Sequence, residues 1–182
     1  MKKISITAII ASLLAMLTTF YAVDSYAQKP PKLSDPEIAS AAVVANQNDI
    51  DFAAIATQKS KNTEVLNFAK TMANDHKAVI DQAVALVTRL KVTPKDNELS
   101  RSLTADAAKT KKGLLAKSAE SFDKAYIDNE VAYHKAVIST VEKVLIPQAA
   151  NAELKALLQQ VVPTLKAHLE HAEMIQKTVG SK

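Results

Sequence analysis

The stretch "KTMANDHKAVI", Lys70–Ile80, decides the fold, because it continues an apolar helical stripe and sets charge into it at Asp75 and His76. Working outward, Val65, Ala69, Met72, His76, Val79, Ala83, Leu86 and Leu90 recur at alternating steps of four and three. That alternation is the seam of a left-handed helical bundle, whose seam residues all face neighbouring helices. His76 therefore holds a core position, where an imidazole stands in place of an apolar side chain.

Three other long segments carry the same pattern. The first follows the Pro-rich stretch "QKPPKLSDPE", in which Ser34 or Asp35 is the cap and Pro36 the first-turn proline. Its seam is Ile38, Ala42, Ala45, Asp49, Phe52 and Ala56, and "KSKN" breaks it near Lys59. The His76 helix then runs from Thr63 or Glu64 to about Lys91. "ESFDKAY" opens another, with Ile127, Val131, His134, Ile138, Val141 and Leu145 on its seam and Pro147 at its end. Asn151 caps the last, with Leu154, Leu158, Val161, Leu165, His168, Ala172, Ile175 and Val179. Pro163 is expected to kink or divide that helix, since it lacks an N–H for the ladder. A weaker pattern over 100–117 (Leu103, Ala107, Leu114) carries Lys109, Lys111 and Lys112, which marks a surface connector. The expected fold is all-α: an antiparallel four-helix bundle with one extra peripheral helix in the central crossover.

Composition agrees. Among 182 residues there are 2 glycines, and neither Cys nor Trp occurs, which favours helix over tight hairpins. Met1-Lys2-Lys3, the apolar run Ile4–Tyr21 and the small-x-small "SYA" before Gln28 read as a signal peptide over 1–27, with an uncleaved anchor as the rival reading. A linker follows over 28–34 and the bundle domain over 35–182. Export places the protein in the periplasm or outer envelope, with no transmembrane span once the leader is removed. Without cysteine no disulfide can assist folding there, so the core must suffice. Cleavage would remove Lys2, Lys3 and Asp24 and take the formal charge from +4 to +3. Such a balance argues against a nucleic-acid-binding surface, which concentrates basic charge on one face. It leaves a homo-oligomer or an envelope partner open.

Each long seam is interrupted by one ionisable residue: Asp49, His76, His134 and His168, all near the middle of their helices. In an antiparallel bundle, mid-helix residues meet at one level whichever way the helices connect. Three imidazoles and a carboxylate are thus expected in one buried cluster. Asp75 beside His76, and Glu130 four residues before His134, can add ligands or orient them. The rival reading is that each histidine is a core residue satisfied by a neighbour such as Tyr126, Tyr133 or Glu130. His171 lies off the seam and is expected at the surface, where Glu170 and Glu173 flank it.

"FAKTMANDHKAVI", "SFDKAYIDNEVAYH" and "VVPTLKAHLEHA", in this order, resemble the bacterial domain-of-unknown-function family 4142, exported ferritin-like proteins often labelled outer-membrane proteins. The matching residues are Asp75 and His76; Phe122, Asp123, Tyr126 and His134; and Val162, Pro163, Leu165 and His168. Where that family usually has Glu in its first helix, this chain has Asp49, one methylene shorter. The resemblance implies a ferritin-like bundle in the envelope and supplies no activity.

Di-iron bundles use Glu-x-x-His pairs. Here Ala73, Val131 and Leu165 stand three residues before the seam histidines, so a di-iron centre is not expected. One transition metal ion held by imidazole and carboxylate (zinc, copper, nickel or iron) suits the ligand types better. Its candidate ligands are His76, His134, His168, Asp49, Asp75 and Glu130. Metal storage, buffering or redox protection is one functional reading. A structural or stress-related envelope protein, with histidines serving packing, is the other. Catalysis is a third reading, for which no residue pattern marks a centre.

Overall fold

A computed structural model describes residues 32–179. The expected leader over 1–27 and most of the linker lie outside the described residues. Helices α1 (Asp35–Lys59), α2 (Thr63–Arg89), α3 (Glu98–Leu115), α4 (Ala119–Thr140), α5 (Ile146–Gln148) and α6 (Ala152–Val179) follow one another, and a π-helical turn, Val141–Leu145, joins α4 to α5. No strand occurs among the described residues.

Side chains set the helix ends. Glu37 accepts from both the Ser34 amide (2.9 Å) and its hydroxyl (2.6 Å) at the start of α1. The Asn62 side chain accepts from the Glu64 amide at 2.9 Å, and that of Asn151 from Glu153 and Leu154 at 2.9 and 3.0 Å. At the end of α2, Lys91 takes the left-handed conformation (φ 54°). That lets the Val92 and Lys91 amides return to the carbonyls of Val87 and Thr88, closing the helix. The π-turn precedes Pro147, whose ring and missing N–H oppose a regular α-turn, and the Ile146 amide reaches the carbonyl of Val141 instead. Pro163 does not divide α6, which continues through it as one helix. It lies on the exposed side, where water can satisfy the carbonyl freed one turn earlier.

Two hairpins, α1/α2 and α4/α6, form the bundle, and α3 carries the chain back along it, packed mainly on α1. At one end the Asp35 carboxylate accepts from the Ala150 and Asn151 amides, both at 2.9 Å, pinning the start of α1 to the start of α6. The connector is more integral than its lysines imply. It buries Ser100, Ala107 and Leu114, Asn48 donates to the Leu103 carbonyl at 3.1 Å, and Lys111 pairs with Asp51 at 2.7 Å.

The core falls into two clusters along the bundle axis. One is aromatic-rich, with Phe52, Phe68, Phe122, Tyr126 and Met72. The other is aliphatic, with Ile38, Leu86, Ile138, Leu145, Leu158 and Leu165. The seam histidines lie between them.

Candidate metal centre

His76, His134 and His168 are buried, and one ligating nitrogen of each lies within 4.8 Å of the others. Their ring centroids are 5.3–5.6 Å apart. Asp49, fully buried on α1, sets its Oδ2 3.2 Å from His76 Nε2 and 3.6 Å from His134 Nε2. Glu130, one turn before His134 on α4, is also fully buried. Asp49, Glu130 and His134 form a second group whose ligand atoms lie within 4.8 Å of one another.

The hydrogen bonds fix what each ring offers. His76 Nδ1 lies 2.7 Å from Asn46 Oδ1, and Asn46 is held in that orientation because its Nδ2 donates to the Ala42 carbonyl at 2.8 Å. His134 Nδ1 lies 3.0 Å from the Glu130 carbonyl oxygen, and His168 Nε2 lies 2.9 Å from Asp75 Oδ2. All three partners are acceptors, so each imidazole must donate from that nitrogen. In the neutral form of each ring the other nitrogen, His76 Nε2, His134 Nε2 or His168 Nδ1, carries a lone pair. Those three atoms, with both Asp49 oxygens, are buried without a hydrogen-bond partner. Buried polar atoms are ordinarily satisfied, so this concentration at one level of the bundle needs a cause.

Electrostatics keeps the set in ligating form. Burial pushes His134 and His168 below the ordinary imidazole range, against the pull of Asp49 and Asp75 respectively. Burial acts to raise Asp49, but a hydrogen bond from His76 and the charge the three histidines carry when protonated outweigh it and hold its carboxyl below the usual range. Burial, reinforced by Asp49, pushes Glu130 well above the carboxylate range, so it is the neutral member of the acid pair. Burial likewise raises the phenols of Tyr126 and Tyr133, and the Tyr133 hydroxyl donates to the Ala45 carbonyl at 2.7 Å.

The structure thus brings Asp49, His76, Glu130, His134 and His168 together. Asp75 does not converge with them: its side chain is 45% exposed and meets His168 from outside, as an orienting partner. His171 is half-buried and sets its ring edge-to-face on Phe68 at a centroid distance of 5.2 Å. Asn46 escaped the sequence reading. Its only signal was its place one turn before Asp49 on the same helix face.

Residues 22–175 match the family described as Domain of unknown function (DUF4142). The chain belongs to this family. No curated protein matches it. Among solved structures it is similar to the crystal structure of a DUF305 fragment from Deinococcus radiodurans, with a TM-score of 0.67 and 18% identity over 82% of this chain and 99% of that one. At that identity the likeness shows the helical fold alone. No helix among the described residues is long and apolar enough to cross a membrane.

Proposed function

We propose that this DUF4142 protein binds one transition metal ion at the centre of its bundle, through His76 Nε2, His134 Nε2 and His168 Nδ1, with Asp49 as the fourth ligand. The observation that carries this is a group of three buried imidazoles with Asp49 beside two of them, their inward atoms lacking a well-formed hydrogen bond. A cation satisfies all of these atoms at once, whereas the proton on neutral Glu130 can serve Asp49 alone. Spacing supports it. A tetrahedral ion with bonds of about 2.0–2.1 Å holds its ligand atoms about 3.4 Å apart. The contacts of Asp49 with His76 and His134, 3.2 and 3.6 Å, bracket that value.

The hydrogen bonds that the rings donate to Asn46 Oδ1, the Glu130 carbonyl and the Asp75 carboxylate fix each ring's tautomer and orientation, as partners of metal-bound histidines do. Imidazole and carboxylate suit zinc, copper, nickel or iron. The lowered proton affinity of His134 and His168 keeps them ligating at mildly acidic pH. The leader-like segment 1–27 supports placing this activity in the periplasm or outer envelope, as metal buffering or storage. Metal content decides the binding. Protein purified without a metal-binding tag, stripped with chelator and dialysed against zinc, should retain one equivalent. Retention of none by the wild type would reject the reading.

A further inference from the structure

The aliphatic half of the bundle lines a partly open cavity of about 240 Å³. Ala42, Ala45 and Ala83 of α1 and α2 form one wall, and Leu158, Val161 and Leu165 of α6 the other. Asp49, His76, His134 and His168 line the same space, so its apolar body ends on the polar cluster. Two properties define what fits. The first is size and shape. An apolar cavity of about 150 Å³ takes benzene, so this one has room for roughly ten non-hydrogen atoms. Its lining on α6 runs from Leu154 to His168, which spans about 21 Å of helix at 1.5 Å per residue. A volume that small drawn out over that length takes a chain rather than a fused ring.

The second is the chemistry of the polar end. The unpartnered atoms of Asp49 and of neutral His76, His134 and His168 are acceptors. A head group there must donate a hydrogen bond, and a carboxylate head would bring lone pairs against lone pairs. We propose that the cavity binds a medium-chain aliphatic alcohol, with its hydroxyl at the Asp49–histidine end and its chain between α2 and α6. The binding does not require a metal, so it stands or falls apart from the metal site.

The test titrates 1-octanol and, separately, octanoate into the chelator-treated protein by calorimetry. Octanol should bind saturably at one site and octanoate at least tenfold more weakly. Methyl resonances of Leu158 and Leu165 should shift with octanol, while that of Val65 in the aromatic half stays in place. Ala83→Leu and Val161→Phe fill the cavity without touching a histidine. Each should weaken octanol binding at least tenfold and leave zinc binding as in the wild type. Absence of saturable octanol binding, octanoate binding as tight as octanol, or shifts centred in the aromatic half would each overturn the proposal, whether or not the filled variants fold. Failure of the wild type to bind zinc, with octanol binding intact, would reject the metal reading alone.

Discussion

Phe68, Phe122 and Tyr126 fill one half of the bundle with none of their surface exposed, whereas the other half surrounds a cavity of about 240 Å³ lined mainly by leucine, valine and alanine, with Phe52 and Tyr133 among its lining. On the aromatic side, Phe122 and Tyr126 stack at 6.1 Å, Phe68 meets Tyr126 at 6.3 Å, and Phe52 sets its edge to Tyr133 at 5.3 Å. Tyr126, Glu130 and His134 follow one another at single-turn spacing on α4, so the packed half leads directly into the acidic side of the cluster. The same four helices thus give a dense wall behind the ligands and free space in front of them. Density fixes the geometry of the candidate ligands, and the space in front of them is open to a guest.

If this division is real, truncations should separate the halves. Phe68→Ala, in the packed half, is expected to cost about 3–5 kcal/mol in urea unfolding. Leu158→Ala, beside the cavity, removes a side chain that already lacks neighbours on one face. Its cost is expected at the low end of the leucine range, about 2–3 kcal/mol. Equal losses at the two sites would break the comparison. In the opposite sense, Ala83→Leu is expected to stabilise by about 0.5–2 kcal/mol by filling space. An equivalent enlargement at Ala69, fully buried in the aromatic half, should destabilise by about 1–3 kcal/mol.

A smaller effect sharpens the boundary between the halves. Glu130 has its folded-state affinity for a proton raised by burial and by Asp49. The folded chain therefore holds a proton that the unfolded chain releases above the ordinary value of 4.5, and its stabilising effect is lost as pH rises toward the raised value. In chelator, wild type and Glu130→Gln should be about equally stable near pH 4, and the variant more stable at pH 8. His134 and His168 work in the other direction. Their lowered affinity means stability falls as pH drops below the ordinary 6.5, in both proteins alike. Urea midpoints across pH 4–8 read the difference, and parallel curves would contradict the buried neutral acid.

The seams made most of this fold legible. His76, His134, His168 and Asp49 were placed at one level because a four-and-three spacing states which face of a helix is buried and how far along it each residue lies. What spacing does not state is how far apart two helices stand. The alanines at 42, 45 and 83 read as ordinary seam residues, yet together they open the cavity, because small side chains leave space wherever longer-range packing holds the backbones apart. The turn near Pro163 shows the same limit. Val161 was the seam choice, but Val162 is the more buried of the two while Val161 faces the cavity. Asp75 adjoins His76 in sequence, a place from which it could ligate or orient, and the structure gives it the orienting role on another ring. Neighbours on a helix point about 100° apart, and Asp75 reaches His168 on the bundle's flank. Asn46 was missed because an amide one turn from a carboxylate carries no pattern of its own.

The central claim is that three oriented lone pairs and Asp49 bind a cation that only the folded bundle can gather. Thermal unfolding of the wild type, with chelator and with zinc at a hundred times its dissociation constant, tests this most directly. The ion should stabilise the fold by about 2.7 kcal/mol. His76→Ala, His134→Ala and His168→Ala should each lose most of that gain, while His171→Ala, whose ring packs on Phe68, should keep it. Identical unfolding of the wild type with chelator and with zinc, copper, nickel or iron would contradict the account.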